Sequence, residues 1–355
     1  MTGKYRVGSR IVFKPVAKRP TICLNMIVRN EAHIIHEALD SAAPYISSWV
    51  IVDTGSNDGT QDVIRRHLAS LGVPGDLYER PWTNFGHNRS EALNLAQGRA
   101  DYIWVMDADD IVVGEPDFSQ LEADLGYMRI ESPPLVYWRP QLFRDGLGWR
   151  YEGVVHEHVE CSGPTVMQRL EGQYHIRSRR LGSRSQDAQK YARDRDLLLA
   201  EVEHNPDDAR SVFYLAQSYR DLGDLVNARH WYARRAKMGG WQQEIFVAMY
   251  HLAAAMAALD EPWPDVLEAY LKAWEFRPTR AEPLYAIARR YRIAQRWRVG
   301  YLFARKAAEI PLPDEDSLFV YADVYAWRAI DEQAICASWI GKHAEAFALC
   351  RRLLA

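Results

Sequence analysis

Tyr102-Ile103-Trp104-Val105-Met106-Asp107-Ala108-Asp109-Asp110 is an apolar run that ends in three carboxylates within four residues. A buried strand delivers its last side chains to the edge of a sheet, where open α/β folds place their ligands. In extended chain Asp107 and Asp109 project to one face and Asp110 to the other. Paired carboxylates repel, and each raises the pKa of its neighbour unless a cation lies between them. A hard divalent cation such as magnesium or manganese removes that conflict, and it prefers oxygen ligands shared with a phosphate-bearing substrate. An acidic turn closing a strand is the plainer account of the same residues.

The sequence on either side repeats a strand-then-helix grammar. Ile22-Cys23-Leu24-Asn25-Met26-Ile27-Val28 reads as a first buried strand, and Ile34, Ile35, Ala38 and Leu39 mark one face of a helix after it. Glu31 stands near that helix start, where an acid favours the dipole. Trp49-Val50-Ile51-Val52 is a second strand, ending in the turn-rich Asp53-Thr54-Gly55-Ser56-Asn57-Asp58-Gly59-Thr60 before a helix through Val63, Ile64 and Leu68. A helix over 88–97 precedes the strand containing Ile103. This alternation predicts a parallel sheet with right-handed crossovers. Shorter aromatic strands follow, from Tyr127 to Ile130, Val136 to Phe143, Val154 to Val159 and Gly172 to Ile176, and they predict an antiparallel addition.

Near residue 186 the pattern becomes almost wholly helical. Ala228, Ala269, Ala304 and Ala346 recur about every 35 to 42 residues, near the period of tetratricopeptide-like repeats. The expected organisation is a basic arm over 1–19, an α/β domain over 20–185, a connecting helix over 186–204 and a helical-repeat domain over 205–355. The chain of 355 residues is long enough for two cores. Its 48% hydrophobic and 26% charged residues are ordinary for a soluble globular protein. A net charge of −3 argues against nucleic acid as the main partner. No apolar stretch is long enough to span a membrane, and none follows the basic arm as in a secretory signal. Cys23, Cys161, Cys336 and Cys350 are scattered, so reduced thiols and a cytoplasmic setting are expected.

Ile27-Val28-Arg29-Asn30-Glu31, the Asp53–Thr60 turn, Asn88-Arg89-Ser90 and Met106–Asp110, in this order and spacing, resemble glycosyltransferase family 2. The resemblance covers roughly 20–180. Members with a tetratricopeptide-like extension, among them bacterial peptide and protein glycosyltransferases, are similar across the whole chain. It implies a GT-A fold, a mixed α/β sheet of Rossmann-like character, and inverting transfer of a hexose or N-acetylhexosamine from a UDP-sugar with Mn2+ or Mg2+. Val28, Glu31, Asp53, Arg89, Asp107 and Asp109 are then the donor-binding residues. Asp53 would accept from the uracil imide; alternatively it bonds its own turn. Thr54 stands where the family often has a second Asp. Arg89 would approach the diphosphate, Asp107 the ribose or sugar, and Asp109 with His175 the metal. His175 could equally be a strand histidine bonded to backbone. The arginine-rich stretch around Gly182-Ser183 could close on the diphosphate or simply serve solubility. Glu157 matches the acid of a Val-His-Glu element and would be the catalytic base, with Glu152 and His156 as competitors.

The expected partners are a UDP-sugar donor, a peptide, protein or glycan acceptor, and a second copy of the chain through the helical-repeat domain. Two rival readings remain open, a sugar nucleotidyltransferase and a repeat-based peptide-binding protein with a degenerate transferase domain. Neither a P-loop nor a Gly-x-Gly-x-x-Gly fingerprint occurs, which disfavours P-loop and dehydrogenase chemistry.

Overall fold

A computed structural model describes residues 19–132 and 135–354. The basic arm over 1–19 therefore lies, except for its last residue, outside the described residues. The chain divides into two compact units, the first comprising the residues up to Glu152 together with Glu157–Asp187, the second Gly153–His156 together with Ala188–Ala355.

The first unit is built on a mixed sheet. Strands β1 (Ile22–Val28), β2 (Ser48–Asp53), β3 (Gly75–Glu79) and β4 (Tyr102–Val105) are parallel, in the spatial order β3-β2-β1-β4. Helices α1 (Ile35–Ala42), α2 (Thr60–Ser70) and α3 (Phe85–Ala96) connect them. The alternation of β1 explains the layering: Ile22, Leu24, Met26 and Val28 pack with α1 and α2, while Cys23 joins Leu93 and Ala96 of α3 on the opposite face. Burial on both faces makes these strands near-continuous apolar runs. Asn25, the buried polar exception, donates to the carbonyls of Val50 at 3.1 Å and Ala92 at 2.9 Å, pinning α3 to the sheet.

After β1 the chain moves outward to β2 and β3, then returns to β4 on the other side of β1. That reversal creates a crevice beyond the carboxyl ends of β1 and β4, the place where such sheets bind ligands. Glu31 follows β1, and Asp107 follows β4.

The remaining strands extend the sheet beyond β4. They are β5 (Asp110–Asp117), β6 (Leu125–Ser132), β7 (Leu135–Arg144), β10 (Met167–Arg169) and β11 (Glu171–Ser178). The pairs β4/β7, β6/β7 and β5/β11 are antiparallel as expected, but β11 and β10 each lie parallel to β6. Val154 to Val159 is not one strand. Gly153 and His156 have left-handed backbone (φ 104° and 56°), which breaks the segment into a turn between the short pair β8 (Arg150–Glu152) and β9 (His158–Glu160). A short helix α4 (Ser183–Gln186) ends the unit.

The second unit is helical. It starts with α5 (Lys190–His204) and continues as four helix pairs: α6 (Ala209–Asp221) with α7 (Leu225–Arg235), α8 (Gln242–Ala258) with α9 (Trp263–Phe276), α10 (Glu282–Ile293) with α11 (Trp297–Glu309), and α12 (Ala329–Trp339) with α13 (His343–Leu354). Of the recurring alanines, Ala228 and Ala304 are fully buried and Ala346 nearly so, where paired helices approach closely, while Ala269 is only partly buried. Asp208 caps α6 by accepting from the amides of Arg210 and Ser211, and Asp224 caps α7 through Asn227. Segment 310–321 has no regular structure, and a helical turn from 322 with a π-helical stretch over Val324–Arg328 leads into α12. No helix among the described residues is long and apolar enough to cross a membrane, and all four cysteines are free thiols.

Candidate donor site

The three carboxylates at the end of β4 do not continue as extended chain. Asp107 to Asp110 forms a turn in which the Asp110 amide donates to the Asp107 carbonyl at 3.1 Å, and Asp110 begins β5. This corrects the face assignment. Asp107 and Asp110 share one counterion, Arg139, whose Nη1 lies 3.0 Å from Asp107 Oδ2 and whose Nη2 lies 2.5 Å from Asp110 Oδ2. Asp109 points elsewhere and accepts from the Gly182 amide at 3.0 Å through Oδ2.

Arg139 and Asp110 are therefore central to the cluster, although neither is among the residues expected to form the site. A signal for Arg139 exists in the strand pattern. Trp104 lies opposite Leu142 in the antiparallel β4/β7 pair, and continuing that register brings position 139 opposite Asp107.

Arg89 comes from α3. Asn84 caps that helix by accepting from the His87 amide at 2.8 Å, and buried Asn88 fixes its entry by bonding the Thr83 amide and the Pro81 carbonyl. One residue on, Arg89 bridges two acids, with Nη2 2.6 Å from Asp107 Oδ1 and Nε 2.7 Å from Glu157 Oε1. Its guanidinium also lies 5.8 Å from the centre of the Tyr151 ring. The structure thus brings together Arg89, Asp107 and Glu157, and both Asp107 oxygens face guanidinium groups.

The electrostatics follow from that arrangement. Burial opposes ionisation of Asp107, but Arg89 and Arg139 outweigh it and hold the carboxyl well below the usual carboxylate range. Burial pushes Asp110 up to about 6; Arg139 pulls it down, while Asp107 and Asp109 push it further up. Asp110 Oδ1 is buried without a hydrogen-bond partner.

Glu31 is the second perturbed acid. Burial is the main cause raising its pKa to about 7; the Ser183 amide lowers it, and nearby Asp109 raises it. Glu31 Oε1 accepts from the Ser183 amide at 3.1 Å, while Oε2 is buried and unpartnered. A methyl group built on Gly182 would sit 3.2 Å from Glu31 Oε1 and 3.4 Å from Asp109 Oδ2, so the two acids flank the same glycine. The arginines around it are engaged: Arg179 donates to the Asp109 carbonyl at 3.0 Å and pairs with Glu37, and Arg184 lies over the Phe85 ring.

Asp53 bonds its own turn, the second of the two sequence readings. Its Oδ1 accepts from the amides of Gly55 at 2.9 Å and Ser56 at 2.8 Å and from Gln61 Nε2 at 3.1 Å, stabilising its own turn. Its Oδ2 is buried with no partner. Thr54 replaces a possible acid with a hydroxyl that donates to the Val28 carbonyl at 3.1 Å, locking the ends of β1 and β2 together.

His175 is not brought to Asp109. It lies opposite Val113 in β5, three residues along β11 from the Ser178/Asp110 pair, which is about 10 Å of strand. Its Nε2 faces Glu131 Oε2 at 3.4 Å. Among the described residues no group of three or more His, Cys, Asp or Glu side chains gathers to hold a metal ion. The competing bases have partners of their own. Glu152 pairs with Arg150, and within the helical unit His156 stacks on Tyr214 at 4.0 Å between ring centres while its carbonyl accepts from Arg210.

A parallel sheet with a switch-point crevice, lined by acids and arginines at the ends of β1 and β4, defines a nucleotide-dependent α/β enzyme fold. Residues 23–122 match the model described as Glycosyl transferase family 2, so this part of the chain is a family 2 glycosyltransferase domain, followed by a tetratricopeptide-like helical region. A TPR repeat-containing protein of Synechococcus elongatus is 27% identical over 253 residues, 65% of this chain and 60% of that protein. The chain thus spans less than two thirds of that relative's length. Among solved structures, MamA is 15% identical with a TM-score of 0.38, over 46% of this chain and 87% of that one. A tetratricopeptide repeat protein from Parabacteroides merdae is 18% identical with a TM-score of 0.36, over 46% of this chain and 59% of its own.

Proposed function

We propose that the chain is an inverting, metal-dependent glycosyltransferase that moves a hexose or N-acetylhexosamine from a UDP-sugar to a peptide, protein or glycan acceptor. The observation that carries this reading is the Arg89, Asp107, Arg139 and Glu157 cluster at the carboxyl end of β4, inside a domain whose residues 23–122 match the family.

Each residue acquires a role from its place. Asp107 keeps about a third of its side chain exposed and presents that side to the ribose or sugar. Asp53, at the end of β2 with Oδ2 buried and unpartnered, would accept from the uracil imide. Arg89 and Arg139 supply two fixed positive charges beside the diphosphate, and guanidinium donates to phosphate oxygens in pairs. The acids present fit a divalent cation: Asp109 and Glu31 flank one point, and Glu31 Oε2 is an orphaned buried acceptor. Magnesium or manganese commonly takes only one or two carboxylates and completes its shell with substrate phosphates and water. Asp109 with Glu31, rather than with His175, would hold it, and the bound ion would supply charge stabilisation to the departing UDP.

Glu157 takes the acceptor proton. Arg89 engages its Oε1, which leaves Oε2 to receive the proton as the acceptor attacks the anomeric carbon from the face opposite the UDP. Because Arg89 joins Glu157 to Asp107, the base and the sugar contact are held in one rigid unit.

Calorimetric titration tests the donor assignment. UDP should bind with manganese present, tighter than UMP, and Arg139→Met should weaken UDP without altering UMP in proportion. Equal binding of UDP and UMP in both proteins would remove the diphosphate role of this cluster.

A further inference from the structure

The chain passes from the second unit back to the first at the peptide bond that precedes the assigned base. Gly153–His156 belongs with the helices, and Glu157 belongs with the sheet. The helical unit grips that bond at its oxygen. Arg210 of α6 donates to the His156 carbonyl twice, from Nε at 3.1 Å and from Nη2 at 2.9 Å. The His156 ring lies flat on Tyr214, one turn further along α6, with ring centres 4.0 Å apart and planes 14° from parallel. A peptide unit is planar, so fixing its oxygen and the residue before it also fixes the Cα of the residue after it. That residue is Glu157.

Arg210 is itself held in place. Asp208 caps α6 and accepts from the Arg210 amide at 3.0 Å, which sets the residue in the first turn. Its Nη1 lies 3.0 Å from Glu244 Oε1, and Glu244 Oε2 lies 3.1 Å from Nη2 of the fully buried Arg235. Glu244 is buried, so its carboxylate is satisfied by these two guanidinium groups rather than by water. The Arg210 guanidinium also lies 5.0 Å from the centre of the Tyr214 ring. An arginine kept for solubility needs no such chain of partners.

The gripped turn is not one that its residues adopt without help. His156 is exposed and has a φ of 56°, a conformation that a non-glycine residue keeps when its surroundings fix it. Beyond the bond, Arg89 Nε holds Glu157 Oε1 at 2.7 Å. Two arginines thus grip successive residues, one at the backbone and one at the carboxylate.

We propose that Arg210 and Tyr214 are positioning residues for the base. Through the carbonyl and ring of His156 they set where Glu157 stands, so removal of the acceptor proton depends on the helical unit. The inference rests on the reading of Glu157 as the base. Donor affinity is unchanged by their loss.

The full chain is tested in two ways. Glu-C protease cuts after glutamate, and mass spectrometry reads cleavage between Glu157 and His158 with no need for sugar transfer. In Arg210→Met that cleavage should rise at least tenfold. Unchanged cleavage in a variant that keeps its helical circular dichroism overturns the proposal. Should Arg210→Met lose helicity, His156→Asn decides, because it removes only an exposed ring and asparagine tolerates the left-handed backbone. Cleavage should then rise at least threefold, and no rise overturns the proposal.

UDP release from UDP-glucose and UDP-N-acetylglucosamine with manganese gives the second reading. Arg210→Met should lower kcat at least tenfold and leave UDP affinity within twofold. In Glu157→Gln the same substitution should lower kcat less than twofold, because the group it places is already gone. An equal loss in both backgrounds makes Arg210 structural and overturns the proposal. Should Glu157→Gln alone leave turnover unchanged while Glu-C cleavage responds to Arg210→Met, the base assignment fails and the hold on the turn stands.

Discussion

Arg89 Nη2 donates to Asp107 Oδ1 at 2.6 Å, and the same guanidinium reaches Glu157 through Nε. One cation thus couples the end of β4 to the residue assigned the acceptor proton.

Removing that cation should be costly. Arg89 is only 14% exposed, and Arg89→Met leaves Asp107 and Glu157 facing each other without it. A loss of about 3–5 kcal/mol is expected for breaking a buried ionic group on one side. Urea unfolding measures it, and Asp107→Asn added to Arg89→Met should recover part of the loss. A change below about 1 kcal/mol would show that the bridge is not a structural element.

Asp109 offers a different signature. Asp109→Ala should abolish the effect of manganese on UDP affinity while leaving the domain folded, because its partner in the structure is only the Gly182 amide. His175→Ala should retain the manganese effect, since His175 faces Glu131. Loss of the effect in His175→Ala alone would return that residue to the metal.

Glu31 makes a pH prediction. Its carboxyl is raised from 4.5 to about 7, chiefly by burial, so the folded protein holds a proton that the unfolded chain releases. The stability this provides is complete below about pH 4.5 and is lost as pH rises through 7. In metal-free protein, Glu31→Gln should gain on the wild type across that window, by about 3 kcal/mol at its upper end. Hydrogen exchange of β1 and β4 amides reads the difference between the two proteins. A difference that does not change with pH would reject the assignment.

Much of this arrangement is legible in the sequence, and the reasons are physical. The β1, β2 and β4 runs are apolar because both faces are covered, and three of the four recurring alanines, Ala228, Ala304 and Ala346, are buried between helices while Ala269 is only partly so. The strand-tip acids announce a site, but local period 2 fails at a turn, so Asp107 and Asp110 share Arg139 while Asp109 turns toward Gly182. Arg139 becomes visible only through cross-strand register. The Glu31 contact with Ser183 joins residues 152 positions apart, a pairing no local pattern encodes. His175 has the right residue type after the right strand, yet its register opposite Val113 sends it to Glu131.

Glu157→Gln should preserve UDP binding and slow transfer by roughly 10²–10⁴, the usual contribution of a positioned base. Glu152→Gln should leave the rate within about twofold, because Glu152 is an exposed partner of Arg150 outside the cluster. Steady-state rates with saturating donor separate the two. Unchanged turnover in Glu157→Gln would reject it as the base.

The central claim is transfer from a UDP-sugar at the β4 cluster, and product analysis tests it most directly. A panel of UDP-sugars incubated with the protein and manganese should yield UDP from at least one member, with at least a hundredfold less in Asp107→Asn. Release of pyrophosphate from UTP and a sugar phosphate, with no UDP formed from any UDP-sugar, would contradict it.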